Sequence, residues 1–171
     1  MIILGIDPGT ASTGYAVLSF EKGKKPVLIE TAVVSTNADE LMQNRLNLLY
    51  KTLSEIAKKH IPTVMVVEKL FFNTNTKTAI TVGQARGISL LVASRGKMDL
   101  FEYTALEAKL VLTGYGRSDK KVVQIAVKDC LKLKEVIKPD DACDAVAMVL
   151  CFLEKEHNPL YRAKAYAKKK K

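Results

Sequence analysis

No apolar run in this chain approaches the ~18 consecutive residues that a membrane-crossing helix needs. The longest, Ala145 to Leu153, has nine. The opening residues, Met1-Ile2-Ile3-Leu4-Gly5-Ile6-Asp7, carry no basic segment and reach a carboxylate too early for a signal peptide. Cysteine is scarce: Cys130, Cys143 and Cys151 form no CxxC pair. Each lies in an apolar helical context, which predicts three buried free thiols rather than a disulfide framework. Histidine is scarcer still. His60 and His157 have no second soft ligand near them in sequence, which argues against a zinc site. These absences predict a cytoplasmic protein with no membrane partner.

What is present suits a folded domain. The chain has 171 residues, 48% of them hydrophobic and 26% charged, enough to bury a core and unlike a disordered sequence. Lys and Arg total 27 against 18 Asp and Glu, a net +9. Six of those positives, Arg162, Lys164 and Lys168 to Lys171, lie in the last ten residues with no negative among them. The rest holds 21 basic and 18 acidic residues, a net +3. The pattern predicts a domain over 1–160 and a basic, disordered tail over 161–171. A basic body with a basic tail suggests a polyanionic partner.

The patterning predicts strands at Ile2–Asp7, Gly14–Phe20 and Val27–Val34, the last two joined by the polar, glycine-containing loop Glu21 to Pro26. From Ala38 to Lys59 the period is helical, with Leu41, Leu46, Leu49, Leu53 and Ile56 as its apolar stripe. A strand over Thr63–Glu68 contains Val64-Met65-Val66-Val67, a continuous apolar run suited to a strand buried on both faces. A helix over Lys77–Arg95, a strand over Met98–Tyr103, and helices over Ala105–Thr113, Lys120–Leu131 and Asp141–Glu156 follow. The order βββαβαβααα fits a mixed five-stranded α/β sheet with helices on both faces.

Four acids stand out by position. Asp7 closes the first strand and Glu68 closes the apolar fourth. Asp141 and Asp144, three apart, project from one side of the first turn of the last helix. A carboxylate at the end of a central strand is costly to desolvate without a compensating cation. If the strands of Asp7 and Glu68 are neighbours and the last helix begins beside them, one acidic cluster forms. Hard oxygen donors without His or Cys point to Mg²⁺ or Mn²⁺. Taken singly, each acid has a plainer explanation: an Asp-Pro-Gly turn for Asp7, a solvent-facing strand end for Glu68, and helix capping for Asp140, Asp141 and Asp144.

Five ordered blocks carry a resemblance. Ile3-Leu4-Gly5-Ile6-Asp7-Pro8-Gly9, Gly14-Tyr15, Glu68 with Phe71, Gly83-Gln84-Ala85-Arg86-Gly87 and Asp141-Ala142-Cys143-Asp144-Ala145 resemble the RuvC family of Holliday junction resolvases from Met1 to about Leu153. The resemblance implies a ribonuclease H-like fold and a dimeric endonuclease. It places the catalytic quartet on Asp7, Glu68, Asp141 and Asp144. Asp140 leaves a register ambiguity, which the family's spacing decides for Asp141 with Asp144. It also implies DNA contacts at Lys109 and Lys120, a base-intercalating aromatic at Phe71, dimerisation through the helix of Gly83 and Gly87, and association with a RuvA–RuvB-type branch-migration motor.

Phosphodiester hydrolysis needs an activated water and a neutralised leaving oxygen, which two metal ions about 4 Å apart can supply. The expected cofactor is therefore Mg²⁺, two per subunit, with Mn²⁺ able to substitute. Asp7 is expected to bridge the ions, with Glu68 on the leaving-group side and Asp141 and Asp144 on the water side. Setting the four ligands aside leaves 21 basic and 14 acidic residues in the body, a net +7, which suits a DNA-binding surface better than +3. Arg117, in the loop Gly114 to Ser118, joins Lys109, Lys120 and Lys121 as candidate phosphate contacts. Asn73-Thr74-Asn75-Thr76 suggests an exposed loop, whereas the ring of Phe72 is expected to pack in the core.

Three other readings remain. The opening block also looks like the phosphate loop of sugar kinases and actin-like ATPases, but those need two related domains. A nearer rival is a RuvC-like nuclease for structured, ribosomal RNA; the Glu68–Phe71 block and Gly83 to Gly87, which match the resolvase, stand against it. A non-catalytic junction-binding module would not need four acids that repel DNA.

Overall fold

The computed structural model describes residues 1–69 and 76–158, with only the backbone given for 76–78. The order of elements is β1 (Ile2–Asp7), β2 (Ser12–Ser19), β3 (Val27–Ser35), α1 (Met42–His60), β4 (Val64–Glu68), α2 (Thr76–Arg95), β5 (Asp99–Tyr103), α3 (Ala105–Thr113), α4 (Lys120–Leu131) and α5 (Asp140–His157). The strands form one sheet in the order β3-β2-β1-β4-β5. β1, β2 and β3 pair antiparallel, whereas β1-β4 and β4-β5 are parallel. The expected mixed sheet with helices on both faces is the observed one.

Alternation along β1 divides the core. Ile3 faces one layer with Val64, Val66, α3, α4 and α5. Leu4 and Ile6 face the other with Met65, Val67, α1 and α2. β4 feeds both layers, as its unbroken apolar run requires. α5 is the central helix: from Ala145 to Leu153 every residue is buried, so its apolar run is a core helix rather than an amphipathic one. No helix among the described residues is long and apolar enough to cross a membrane.

Three expectations need correction. α1 begins at Met42, not Ala38, because Asn37 turns the chain first: its Oδ1 accepts from the Asp39 N–H at 3.1 Å. Leu41 is therefore the residue before the helix and is 63% exposed, outside the buried stripe. Cys130 is exposed while Cys143 and Cys151 are buried. Cys130 shares the inward face of Val123 and Val127, but it lies in the last turn of α4, where it lines an open cleft with Leu112, Leu153 and Glu154 instead of a closed core. β2 begins at Ser12, two residues early, because Ser12 and Thr13 still pair with Ser35 and Val34.

By contrast, α3 has the predicted limits. Thr104 and Glu107 form a reciprocal capping box, and Gly114 closes the helix in a left-handed conformation at φ 79°.

Candidate active site

Parallel pairing of Ile6 with Val67 brings the ends of β1 and β4 level, so Asp7 and Glu68 emerge side by side. The first turn of α5 lies across the neighbouring antiparallel pair, and glycine makes the approach possible. A Cβ on Gly14 would stand 1.9 Å from the Asp141 carbonyl oxygen, and one on Gly5 would stand 2.4 Å from that of Ala145. Gly14 is itself the β2 partner of Asp7. The two helix acids are thus delivered beside the two strand acids.

The electrostatics express that convergence. The Asp7 carboxyl is pushed up to about 8, first by burial, then by its hydrogen bond with Glu68 and the charges of Glu68 and Asp141; Lys120 opposes the shift. Asp144 is pushed up to about 6 by burial and then by Asp7, with Asp140 and Asp141 adding and Lys120 again opposing. Four carboxylates share one field. Among the described residues, however, no three acidic, histidine or cysteine side chains stand close enough to form a ready-made metal cage. The donor set nevertheless suits a hard divalent cation: it is all oxygen, half-buried and mutually repulsive. A cation would relieve the repulsion that raises Asp7 and Asp144.

Asp140, the ambiguous acid, is engaged elsewhere. Its Oδ1 accepts from Gln124 Nε2 at 2.7 Å and its Oδ2 from Lys120 Nζ at 3.4 Å, so it ties α5 to α4. Capping is no explanation for the helix acids, since the cap position is Pro139 and makes no side-chain cap bond. Lys120 faces the cluster: hydrogen bonding to Asp140 and the charges of Asp144 and Asp141 raise its ammonium, against some desolvation.

A 190 Å³ cleft is lined by Glu68, Lys109, Lys120 and Asp144, which puts two of the expected basic residues against two of the acids. Lys121 and Arg117 are exposed nearby in sequence but do not line that cleft. Phe71, Phe72 and the 161–171 tail lie outside the described residues. Sequence reasoning missed one contact entirely: Ser12 Oγ donates to Asp141 Oδ2 at 2.5 Å. Nothing in a lone Ser between strand and turn marks it, because the contact spans 129 positions and depends on how α5 docks.

The family model described as "Crossover junction endodeoxyribonuclease RuvC" matches residues 3–152. The chain belongs to the RuvC family. It is 45% identical over 151 residues to the RuvC of Pelotomaculum thermopropionicum, covering 88% of this chain and 92% of that one. It is 46% identical over the same length to the RuvC of Desulforamulus reducens, with equal coverage. Among solved structures, Thermus thermophilus RuvC superposes with a TM-score of 0.83 at 29% identity, covering 91% of this chain and 95% of that one. The same Thermus RuvC in complex with a Holliday junction substrate gives 0.82 at 28% identity, covering 91% and 94%. The mixed sheet is thus the ribonuclease H-like fold of RuvC, and the RuvC family is one of crossover junction endodeoxyribonucleases.

Proposed function

We propose that this chain resolves Holliday junctions by metal-dependent hydrolysis of phosphodiester bonds, with Asp7, Glu68, Asp141 and Asp144 as its catalytic acids. The observation that carries the reading is the shared field of those acids: burial and its neighbours hold Asp7 near 8. A chain with no use for a cation would gain from losing one of them.

Bound there, Mg²⁺ would supply charge neutralisation and a more acidic water; Mn²⁺ would serve the same donors. Asp7, which hydrogen-bonds with Glu68 and whose charge raises Asp144, would be the central ligand. Lys109 and Lys120, on the cleft wall with Glu68 and Asp144, hold the phosphate backbone over the acids. Arg117 and Lys121 extend that basic rim, and Phe71 enters between unstacked bases at the junction centre. We assign the nuclease to residues 1–160 and nonspecific backbone contact to the basic tail at 161–171; a RuvA–RuvB-type motor is the expected partner.

A junction is cut on two strands, which suits a two-fold dimer. α2 offers the face. Among the described residues nothing lies within 4 Å of where a Cβ on Gly83 or Gly87 would stand. Ile80 and Leu91, at helical spacing from them, are 69% and 47% exposed. Arg86, beside the glycines on the helix, pairs with Glu102 of β5 and ties α2 to the sheet.

The test is one cleavage assay in Mg²⁺ on a synthetic four-way junction, a linear duplex and a structured RNA. Paired nicks in the junction alone are expected. Cleavage of the RNA alone would transfer the reading to RNA processing, and binding without cleavage would make the chain a junction-binding module.

A further inference from the structure

Asp141 sits in the first turn of α5, yet its carboxylate is held by another element. Among the described residues its hydrogen-bond partner is Ser12, the first residue of β2, whose hydroxyl donates to Oδ2 at 2.5 Å. Ser12 is itself rigidly placed. The next residue, Thr13, is 1% exposed and its Oγ1 donates to the Gly9 carbonyl at 2.5 Å. A Cβ on Gly9 would stand 2.3 Å from the Ser12 carbonyl oxygen, so the turn following Asp7 folds back onto Ser12. The backbone of α5 is also pinned at this level: Asp141 rests on Gly14, and Thr31 Oγ1 reaches the Ala142 carbonyl at 3.3 Å. Of these contacts, only that of Ser12 touches the carboxylate.

We propose that Ser12 is a positioning residue for Asp141, fixing one carboxylate oxygen so that the other is presented to a divalent cation. The inference rests on Asp141 being a metal ligand. A carboxylate has two oxygens and about four acceptor positions, so one donated hydrogen bond sets its rotation without using up its capacity. The hydroxyl also joins two parts of the site that the chain separates widely, since it belongs to the same folded turn as Asp7. Donors of this kind, one bond removed from the ion, orient the ligand before the ion arrives.

The test uses the full chain and Mn²⁺ alone as the probe, followed by electron paramagnetic resonance of the free ion, beside the Mg²⁺ dependence of junction cleavage. Ser12→Ala should weaken Mn²⁺ binding about tenfold, the lower end of the range for such outer partners. Its half-saturating Mg²⁺ should rise by a similar factor, while the rate at saturating Mg²⁺ falls far less. Ser12→Thr, which keeps the hydroxyl, should restore both. An unchanged Mn²⁺ affinity in Ser12→Ala overturns the proposal, as do equal losses in the Ala and Thr variants, which would trace the effect to the strand. Asp141→Asn, measured alongside, separates this from the reading beneath it. If Asp141→Asn leaves Mn²⁺ binding intact, Asp141 is no ligand and the functional assignment of α5 falls. If it weakens binding while Ser12→Ala does not, only the role of Ser12 falls.

Discussion

Asp7 must ionise where burial and two neighbouring carboxylates oppose it, and this has a measurable cost in the metal-free protein. Its raised pKa means that the folded state holds the proton more tightly than the unfolded chain. The associated stability is fully present below the ordinary aspartate range and is lost as pH rises through about 8. Asp144, raised to about 6, acts in the same sense over a narrower window. Glu30 acts oppositely: hydrogen bonds from Lys59, Tyr15 and His60 hold it down to about 2, so its contribution is lost only in acid.

The difference between wild type and Asp7→Asn therefore isolates Asp7. Without metal, Asp7→Asn should raise the melting temperature at pH 8 and leave it nearly unchanged at pH 4, with a gain on the order of a few kcal/mol. Mg²⁺ should stabilise the wild type more than the variant, and junction cleavage should fall below a few per cent while junction binding survives. A variant that cuts normally would remove Asp7 from the centre of the site. Lys120 belongs to the same scale. Lys120→Ala should weaken junction affinity and flatten the log K against log salt slope by about one unit if the residue makes one phosphate contact. Cleavage at saturating protein should fall less than for Asp7→Asn; loss at saturation with the slope unchanged would place Lys120 in the chemical step.

At the scale of elements, the docking of α5 on β1 and β2 decides whether the four acids meet. Gly14→Ala inserts a Cβ 1.9 Å from the Asp141 carbonyl oxygen. The helix must retreat, at a stability cost of about 1–3 kcal/mol, and cleavage should drop more than tenfold even where the protein remains folded. A circular dichroism melt beside a cleavage rate checks both, and a fully active Gly14→Ala would show that α5 tolerates displacement.

Elements also mark the limit of what the sequence alone could tell. α3 and α4 were legible to the residue, the first because Thr104, Glu107 and Gly114 mark both of its ends locally. Asp7 and Glu68 were legible as strand ends, but their adjacency depended on β1 and β4 pairing in register, a long-range fact. The start of α1 was misread because Asn37 supplies a turn where a helical period could already be counted. Cys130 differs from expectation because its helix face is right but the core ends before it: at the last turn of α4 that face opens into a cleft, which local sequence does not show. Ser12 was invisible for a related reason: its partner is chosen by how α5 docks.

For the whole molecule, the outward face of α2 is the feature that asks for a second copy. Ile80→Glu puts a charge at the most exposed apolar position of that face. It should halve the mass seen by sedimentation equilibrium and abolish paired nicking, while the metal-free melting temperature changes little because the side chain meets no core of its own. A dimer that persists in Ile80→Glu would move the interface elsewhere.

Gly14 and Gly5 hold a further consequence, one of biogenesis. The seat for the last two acids is built near the start of the chain, in β1 and β2, whereas the acids themselves ride on α5. A nascent chain translated only as far as residue 139 would possess Asp7 and Glu68 and the empty cradle, but neither Asp141 nor Asp144. It would also lack the helix that packs against all five strands on one face of the sheet. On the proposed assignment, completion of the core and assembly of the four acids are the same event in synthesis. Chains that end before α5 are expected to be insoluble and inert together, never folded fragments loose on DNA with half of the proposed site.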